Sequence, residues 1–354
     1  TGKQLTMKSA ANGNLDLAGI ARLFDPARLS QARRISKMSK TDLHRMVGVS
    51  DAAIGQYERG EVRHRAETIA ALATALGVPP GFFALGRPRV QVDIAEASFR
   101  RLRSTTVTQQ QQATAYVEQA WELSCYLEES VEFPELDLPA WAHVDSVDVP
   151  DPVTAARAMR QHWMLGTGPI EHLVYQIEQH GILTVFFSMK EDSLLDEKSR
   201  IDAFSTIALP RPMIVLTPYK ANDVMRHRFS AAHELGHIVL HRGRQGTDSQ
   251  LERQADAFAA EFLTPRGVIR DQLPQRINFN RYEELSQLWG VSINSLIFRS
   301  RELDLISEST ARRAYITLNG ITRRPMPVHD YPGERPELLK SALELLDESG
   351  VPLV

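Results

Sequence analysis

Residues 229–241, FSAAHELGHIVLH, constrain this chain more than any other stretch. Phe229, Leu235, Ile238 and Val239, with Val224 and Met225 upstream, recur at helical spacing, so the run reads as a helix with one side in a core. On it His233 and His237 stand one turn apart, ~40° around the axis and ~6 Å along it, so both imidazoles reach one ion. Glu234 is rotated ~100° from His233, beside such an ion without being a ligand. His241 lies ~12 Å along the axis from His233, whereas nitrogens around one ion at ~2.1 Å bonds sit within ~4 Å of each other. It therefore cannot join both, and a place at the helix C-terminus or behind a ligand suits it better. Asn222 or Asp223 can cap the start of the helix, and Gly243 suits its exit.

A metal site that leaves one position open for chemistry takes three protein donors. The third comes from LERQADAFAAEFLTP, residues 251–265, where Leu251, Ala255, Phe258, Ala259 and Phe262 form an apolar stripe and Glu252 lies one turn before Asp256. Glu252 can bind the ion while Asp256 orients a ligand histidine through its other ring nitrogen. Glu261 competes as third donor, but it faces away from Glu252 on an ideal helix, and Glu252 is preferred. Small Ala255 and Ala259 allow two helices to approach closely. Upstream, ILTVFF, DAFSTIAL and PMIVLT read as strands of a small sheet.

RFSAAHELGHIVLH followed by ERQADAFAAEFLTP resembles the ImmA/IrrE family of zinc metallopeptidase-like proteins, whose pattern is a HELGH helix and a downstream E-x-x-A-[ND]-x-F-A-A-E-x-L-x-P helix. With the flanking regions the resemblance spans about half of the chain. It implies Zn2+ held by His233, His237 and Glu252, with Glu234 as the catalytic residue. The implied chemistry is amide hydrolysis: the metal acidifies a water and polarises the carbonyl, and Glu234 takes the proton and passes it to the leaving amine. The family is similar in plan to thermolysin-like enzymes, in which a sheet edge holds extended peptide, and PMIVLT is expected to be that edge. His227, Arg228 and Tyr219 are near enough in sequence to stabilise an oxyanion, and nothing ranks them.

The N-terminal part points elsewhere. Net charge is −3, yet Arg22 to Arg65 holds ten Lys or Arg against five Asp or Glu, a local +5 that leaves −8 for the remainder. Such asymmetry suggests a polyanion partner for this part alone. Asp25 and Pro26 supply the cap and first turn of a helix carrying Leu29, Ala32, Arg33 and Ile35 on one stripe. Ser39 to Val47 is a second helix, Gly48 ends it, and Ser50 caps a third that stops at Gly60. A fourth, with Ile69, Leu72, Ala73 and Leu76 at helical spacing, closes the bundle.

MVGVSDAAIGQYERG resembles the lambda-repressor-like (XRE) helix-turn-helix. By that resemblance the third helix enters the major groove of double-stranded operator DNA. Ser50, Asp51, Ala52 and Gln56 are then candidates for base edges, and Arg45, Arg59 and Arg63 for phosphate. Gln56 can read adenine through paired hydrogen bonds, while Asp51 repels phosphate unless a cytosine amino group receives it.

Between these parts, residues 89–150 read as a helical connector whose long helix carries Val117, Trp121, Leu123 or Ser124, and Leu127 on one side after a basic FRRLR start. DPVTAARAMRQHWML and PIEHLVYQIEQHG are further helices, the second ending at Gly181. His143, His162 and His172 read as surface or packing residues. Residues 266–320 repeat a Gly-Val-Ser turn between two helices, but Glu283, Glu284 and the lack of a strong basic surface before Arg299 favour structural support over a second DNA reader. RRPMPVHDYPGERP reads as a proline-rich linker and PELLKSALELLDES as a terminal amphipathic helix.

A single cysteine, Cys125, excludes an intrachain disulfide, and no run approaches the ~18 apolar residues of a membrane span. No signal peptide is evident at the start, and TGKQLT reads as an addition ahead of a native Met7. The expectation is a cytoplasmic, nucleoid-associated protein of α+β, mostly α, class. It has a four- or five-helix helix-turn-helix bundle (20–88), the connector (89–150), a zincin-like core with a small sheet (151–265), a helical support region (266–320) and the linker with its helix (321–354). The expected function is a DNA-binding regulator fused to a zinc peptidase that cuts a repressor or antitoxin, working as a homodimer on paired half-sites. The alternatives are a non-proteolytic transcription factor that uses the peptidase-like fold as a sensor, and a protease whose N-terminal bundle docks protein rather than DNA.

Overall fold

The computed structural model describes residues 16–63, 65–88, 90–92, 106–143, 149–187, 203–207, 209–217, 223–242, 247–320 and 326–350. The TGKQLT run, the FRRLR stretch, Tyr219, Asn222 and Gly243 lie outside them. Two compact units emerge, one drawn from residues 1–93, 107–123 and 345–354, the other from 94–106 and 124–344. The architecture is α+β and mostly helical, with a single three-stranded sheet among the described residues.

The first unit contains α1 (Leu17–Leu23), α2 (Pro26–Ile35), α3 (Lys40–Val47), α4 (Asp51–Arg59), α5 (Ala66–Leu76) and the greater part of α6 (Val107–Glu128). Local chemistry sets the helix ends. Asp25 Oδ1 accepts from the Ala27 N–H at 2.8 Å ahead of Pro26, Ser39 and Asp42 cap α3 reciprocally, and Gly48 turns the chain at φ 75°. Leu29, Leu43, Ile54, Ile69, Leu72 and Phe83 form the core. Helix α1 begins just before the expected start of this bundle, and its Ile20 joins that core.

Helix α6 changes the meaning of the basic N-terminal stretch. Its Glu122 binds Arg28 (Nη1–Oε2 2.6 Å) and its buried Glu118 binds Arg34 at 2.7 Å, so two of the five surplus positive charges are neutralised inside the unit. The turns of α6 up to Leu123 thus belong to the helix-turn-helix unit. On its buried side Ser124, not Leu123, accompanies Val117, Trp121 and Leu127.

The second unit holds α7 (Pro152–His162), α8 (Leu173–Gln179), β1 (Leu183–Phe186), β2 (Ala203–Thr206), β3 (Met213–Leu216), α9 (Val224–Leu240), α10 (Asp248–Leu263), α11 (Arg266–Gln272), α12 (Phe279–Trp289), α13 (Ile293–Glu302) and α14 (Glu308–Asn319). The sheet order is β1-β3-β2, with β1 parallel and β2 antiparallel to β3. The PMIVLT segment expected at the sheet edge is therefore its centre. All four β3 residues are buried and paired on both sides, which leaves no backbone row for an added strand. Its unbroken apolar run is what a central strand requires. Among the described residues β2 is an edge strand, and it packs against α9.

The proline-rich segment is not a linker where it is described. Met326 O accepts from the Val224 N–H at 2.8 Å, Gly333 O from the Tyr175 N–H at 3.0 Å, and Glu334 is fully buried. The Glu334 carboxylate accepts from the Leu173 N–H at the start of α8 (2.9 Å) and pairs with buried Arg228. In return Glu178, in α8, accepts from the Glu337 and Leu338 N–H groups (2.9 and 3.2 Å) that open the terminal helix α15 (Leu338–Glu348). Each segment caps the other's helix, a pairing that composition cannot reveal. Among the described residues no helix is long and apolar enough to cross a membrane.

Burial pushes the Glu178 carboxyl from 4.5 up to about 7. Folded protein then binds more protons than unfolded between those values, so this group lowers stability as pH rises from 4.5 to 7, by on the order of 3 kcal/mol. His227 works oppositely: burial pushes it from 6.5 down to about 4, and stability is lost on acidification through that window. The difference between Glu178→Gln and wild type isolates the first effect. Denaturant titrations from about pH 5 to 8 should show it moving in favour of the variant up to about pH 7 and levelling above that; a difference flat throughout would refute the assignment.

Candidate functional site

The site lies where α9 and α10 pack in close contact. A Cβ on Gly236 would stand 3.3 Å from Ala255 Cα and 3.1 Å from Phe258 Cδ1, so glycine at this point lets the helices approach. Across the approach His233 and His237 face Glu252. His233 Nε2 and His237 Nε2 are 3.0 Å apart, and the Glu252 oxygens lie 3.4 Å from the first and 3.2 Å from the second. Donors around a tetrahedral ion with ~2.1 Å bonds stand roughly 3.4 Å apart. The spacing fits a divalent cation, and all three donor atoms lie within 4.8 Å of one another.

The surrounding hydrogen bonds orient both rings toward that point. His233 Nδ1 is 2.8 Å from Asp256 Oδ1, an acceptor, so Nδ1 carries the proton and Nε2 presents a lone pair. His241 Nε2 donates to Gln254 Oε1 (3.1 Å), which leaves its Nδ1 to accept from His237 Nδ1 at 2.9 Å. His237 Nε2 is then also a lone pair. His241 therefore stands behind the three donors. Gln254, which anchors this relay, carries no motif by which sequence patterning could single it out.

Glu234 is buried beside the cluster, and Ser205 Oγ on β2 donates to its Oε2 at 2.7 Å. Patterning passes over Ser205 as well; its one signal is a small hydroxyl residue inside the otherwise apolar DAFSTIAL strand. Glu261, the rival third donor, is fully buried in an ionic cluster with Arg157 (2.8 Å), Arg266 (3.3 Å) and Arg299, away from the two histidines. His227 and Arg228 serve the frame instead of an oxyanion. His227 Nε2 donates to Glu334 O at 2.9 Å, and Arg228 binds Glu334, Gly290 O (2.9 Å) and Ile170 O (2.6 Å). His162 meets Asp137 at 2.5 Å and His172 Nδ1 meets Pro332 O at 2.7 Å, both contacts between segments.

In the first unit, α4 presents Asp51 and Ala52 at an exposed N-terminus, with Gln56 half-buried one turn on. Ser50 Oγ caps α4 by accepting from the Ala53 N–H at 3.1 Å. Arg45 and Arg63 are exposed, Arg45 with Asp42 at 4.0 Å; Arg59 is exposed and paired more closely, with Glu61 at 2.5 Å. The second Gly-Val-Ser turn, Gly290 to Ser292, repeats this local geometry, with Gly290 at φ 64° and Ser292 capping α13. Yet α13 buries five of its ten residues, Ile293, Leu296, Ile297, Arg299 and Ser300, where α4 buries only Ile54 and Gly55.

Known families match both units. Residues 177–301 match the IrrE N-terminal-like domain of peptidase M78, and residues 29–83 match a helix-turn-helix model. The chain carries an IrrE-type domain behind an XRE-type helix-turn-helix. No curated protein matches the chain. The IrrE-type match runs through α12 and nearly all of α13, and so includes the second Gly-Val-Ser pair in the same domain.

Gly236→Val places branched carbons against the Ala255 backbone and Phe258, so unfolding stability should fall by about 2 kcal/mol although valine is the better helix former. Urea titration checks this, and an unchanged midpoint would show that the two helices can separate freely.

Proposed function

We propose that this chain is a DNA-binding regulator whose IrrE-type domain is a zinc-dependent peptidase cutting a specific protein, such as a repressor or antitoxin. The observation that carries the reading is the convergence of two oriented imidazoles and one carboxylate beside a separately held glutamate. His233, His237 and Glu252 would hold the zinc, which when bound supplies Lewis acidity, acidifying a water and polarising the scissile carbonyl. Glu234 is the base: it takes the proton and returns it to the leaving amine. Ser205 holds one oxygen of that carboxylate in place, and Asp256 and His241 keep the ligand rings in the tautomers that bind metal.

On the DNA side, α4 enters the major groove with Asp51, Ala52 and Gln56 toward base edges and Arg45 and Arg63 on phosphate. Ser50 acts chiefly as the cap that positions them, and Arg59 must exchange Glu61 for phosphate. A homodimer addressing paired half-sites, in a nucleoid-associated cytoplasmic setting, completes the reading.

Glu234→Gln should retain metal, measured by elemental analysis, and lose roughly a hundredfold or more of the rate of cleavage. Mass-spectrometric mapping of new protein N-termini in cells carrying wild type or variant tests this; identical maps would sink the peptidase reading. His241→Ala should weaken zinc binding about tenfold, read by competition with a chromophoric chelator, while Glu252→Gln should weaken it further. For DNA, Arg45→Ala and Arg63→Ala should each lower the slope of log affinity against log salt by about 1. Wild-type binding without a salt slope would remove duplex DNA as the partner.

A further inference from the structure

A cavity of about 730 Å³ has Arg157 of α7 and Met164 just beyond that helix on one wall, and Gly267 and Val268 of α11 on the other. Helix α7 ends with the Met164 N–H donating to Gln161 O (3.1 Å) and the Leu165 N–H to Arg160 O (2.9 Å). That ending puts Met164 in the left-handed region, at φ 53°, where glycine is customary. Arg160 locks the turn: its Nε donates to Gly166 O (2.8 Å), its Nη2 to Gly168 O and its Nη1 to Phe262 O (2.5 Å). Met164 is thereby held out in solvent, 90% exposed, more than any other large apolar residue among those described. We propose that this cavity is a docking site for a segment of another protein that carries an acidic residue beside an aliphatic one. The inference goes beyond the peptidase reading and does not depend on a bond being cut.

Charge complementarity calls for the acidic residue. Arg157, Arg160, Arg266 and Arg299 gather here, and among the described residues their carboxylate partners are Glu261 and Glu302 alone. Arg160 spends its donors on carbonyls, so no carboxylate touches its charge. Half-exposed Arg157 engages Glu261 through Nε (2.8 Å), and among the described residues its Nη groups have no partner. Glu261 lines the cavity too, but it is fully buried and already bound by three arginines. Met164 and Val268 supply the apolar contact. A cavity of ~150 Å³ holds a benzene ring, so this one has room for more than one side chain. A small acid inside it would leave most of Met164 in water, whereas a polypeptide lying across the rim covers both, and Met and Arg are enriched at such interfaces. The wall formed by residues 157–167 precedes the segment matched by the IrrE-type family, residues 177–301, so the match does not account for it.

The test selects displayed random heptapeptides on the full wild-type chain and counter-selects them on Gly267→Leu. A Cβ at Gly267 meets nothing within 4 Å and leucine is the better helix former, so this variant fills the cavity without straining the fold. Enriched sequences should carry Asp or Glu within two positions of Leu, Ile, Val or Met. By calorimetry, Gly267→Leu and Arg157→Gln should each weaken an enriched peptide roughly tenfold. Met164→Gly should weaken it severalfold while the thermal midpoint does not fall, because glycine relieves the positive φ; that separates lost contact from lost fold. No enrichment that depends on Gly267, a consensus without an acid, or an affinity unchanged in Arg157→Gln overturns the proposal. Two further outcomes also overturn it: octanoate displacing the peptide at comparable affinity, which makes this a small-acid site, and a wild-type dimer in sedimentation that Gly267→Leu dissociates, which makes a second copy the occupant.

Discussion

The contact between α9 and α10 governs the distance on which the rest depends. Glu252 lies on one helix and the two histidines on the other, and the separations of 3.0 to 3.4 Å among their donor atoms persist only while the helices touch. Gly236 opposite Ala255 permits the touch, and Leu235, Ile238, Phe258 and Phe262, all buried, hold it. A donor set of this kind tolerates little displacement, because each bond to an ion is short and directional. A small residue on each helix thus matters as much to the site as the donors themselves.

Two buried ionic nodes hold the frame around that contact. Glu261 gathers Arg157, Arg266 and Arg299 at the far end of α10, and Glu334 engages Arg228 from α9 and the first N–H groups of α8. Buried pairs add little net stability over apolar packing, but removing one partner strands a charge at a cost of about 3 to 5 kcal/mol. Their effect is to fix which segments meet. Gly290 shows how tightly: a Cβ there would stand 2.5 Å from Arg228 Nε, and the residue also needs a positive φ. The turn, the arginine and the C-terminal segment are therefore one assembly.

Much of this is legible in the sequence because it is local. Helical spacing brings His233 and His237 together, places Glu234 beside them and keeps His241 out, and successive turns of 251–265 separate Glu252 from Glu261. Capping residues mark the starts of α2, α3, α4 and α9. What stays hidden is contact between distant segments. Strand order cannot be read from strand content, so PMIVLT passes for an edge until both its neighbours are seen. Ser205 and Gln254 carry no pattern, and a proline-rich run looks like a linker until the partners of Glu334 are known. The N-terminal charge excess likewise overstates the free positive surface, since Glu118 and Glu122 stand 84 and 94 residues from the arginines they bind.

The two Gly-Val-Ser turns show why local similarity does not settle function. Both place a glycine in the left-handed region, and both use serine to cap the next helix. The difference lies in what surrounds them. Around Gly48 a Cβ would meet nothing within 4 Å, and the following helix opens on exposed Asp51 and Ala52; around Gly290 the arginine fills the space, and the following helix buries half of its residues. A helix can read a groove only with side chains left in solvent. The same turn therefore leaves most of a helix outside the core in one unit and packs half of it into the core in the other.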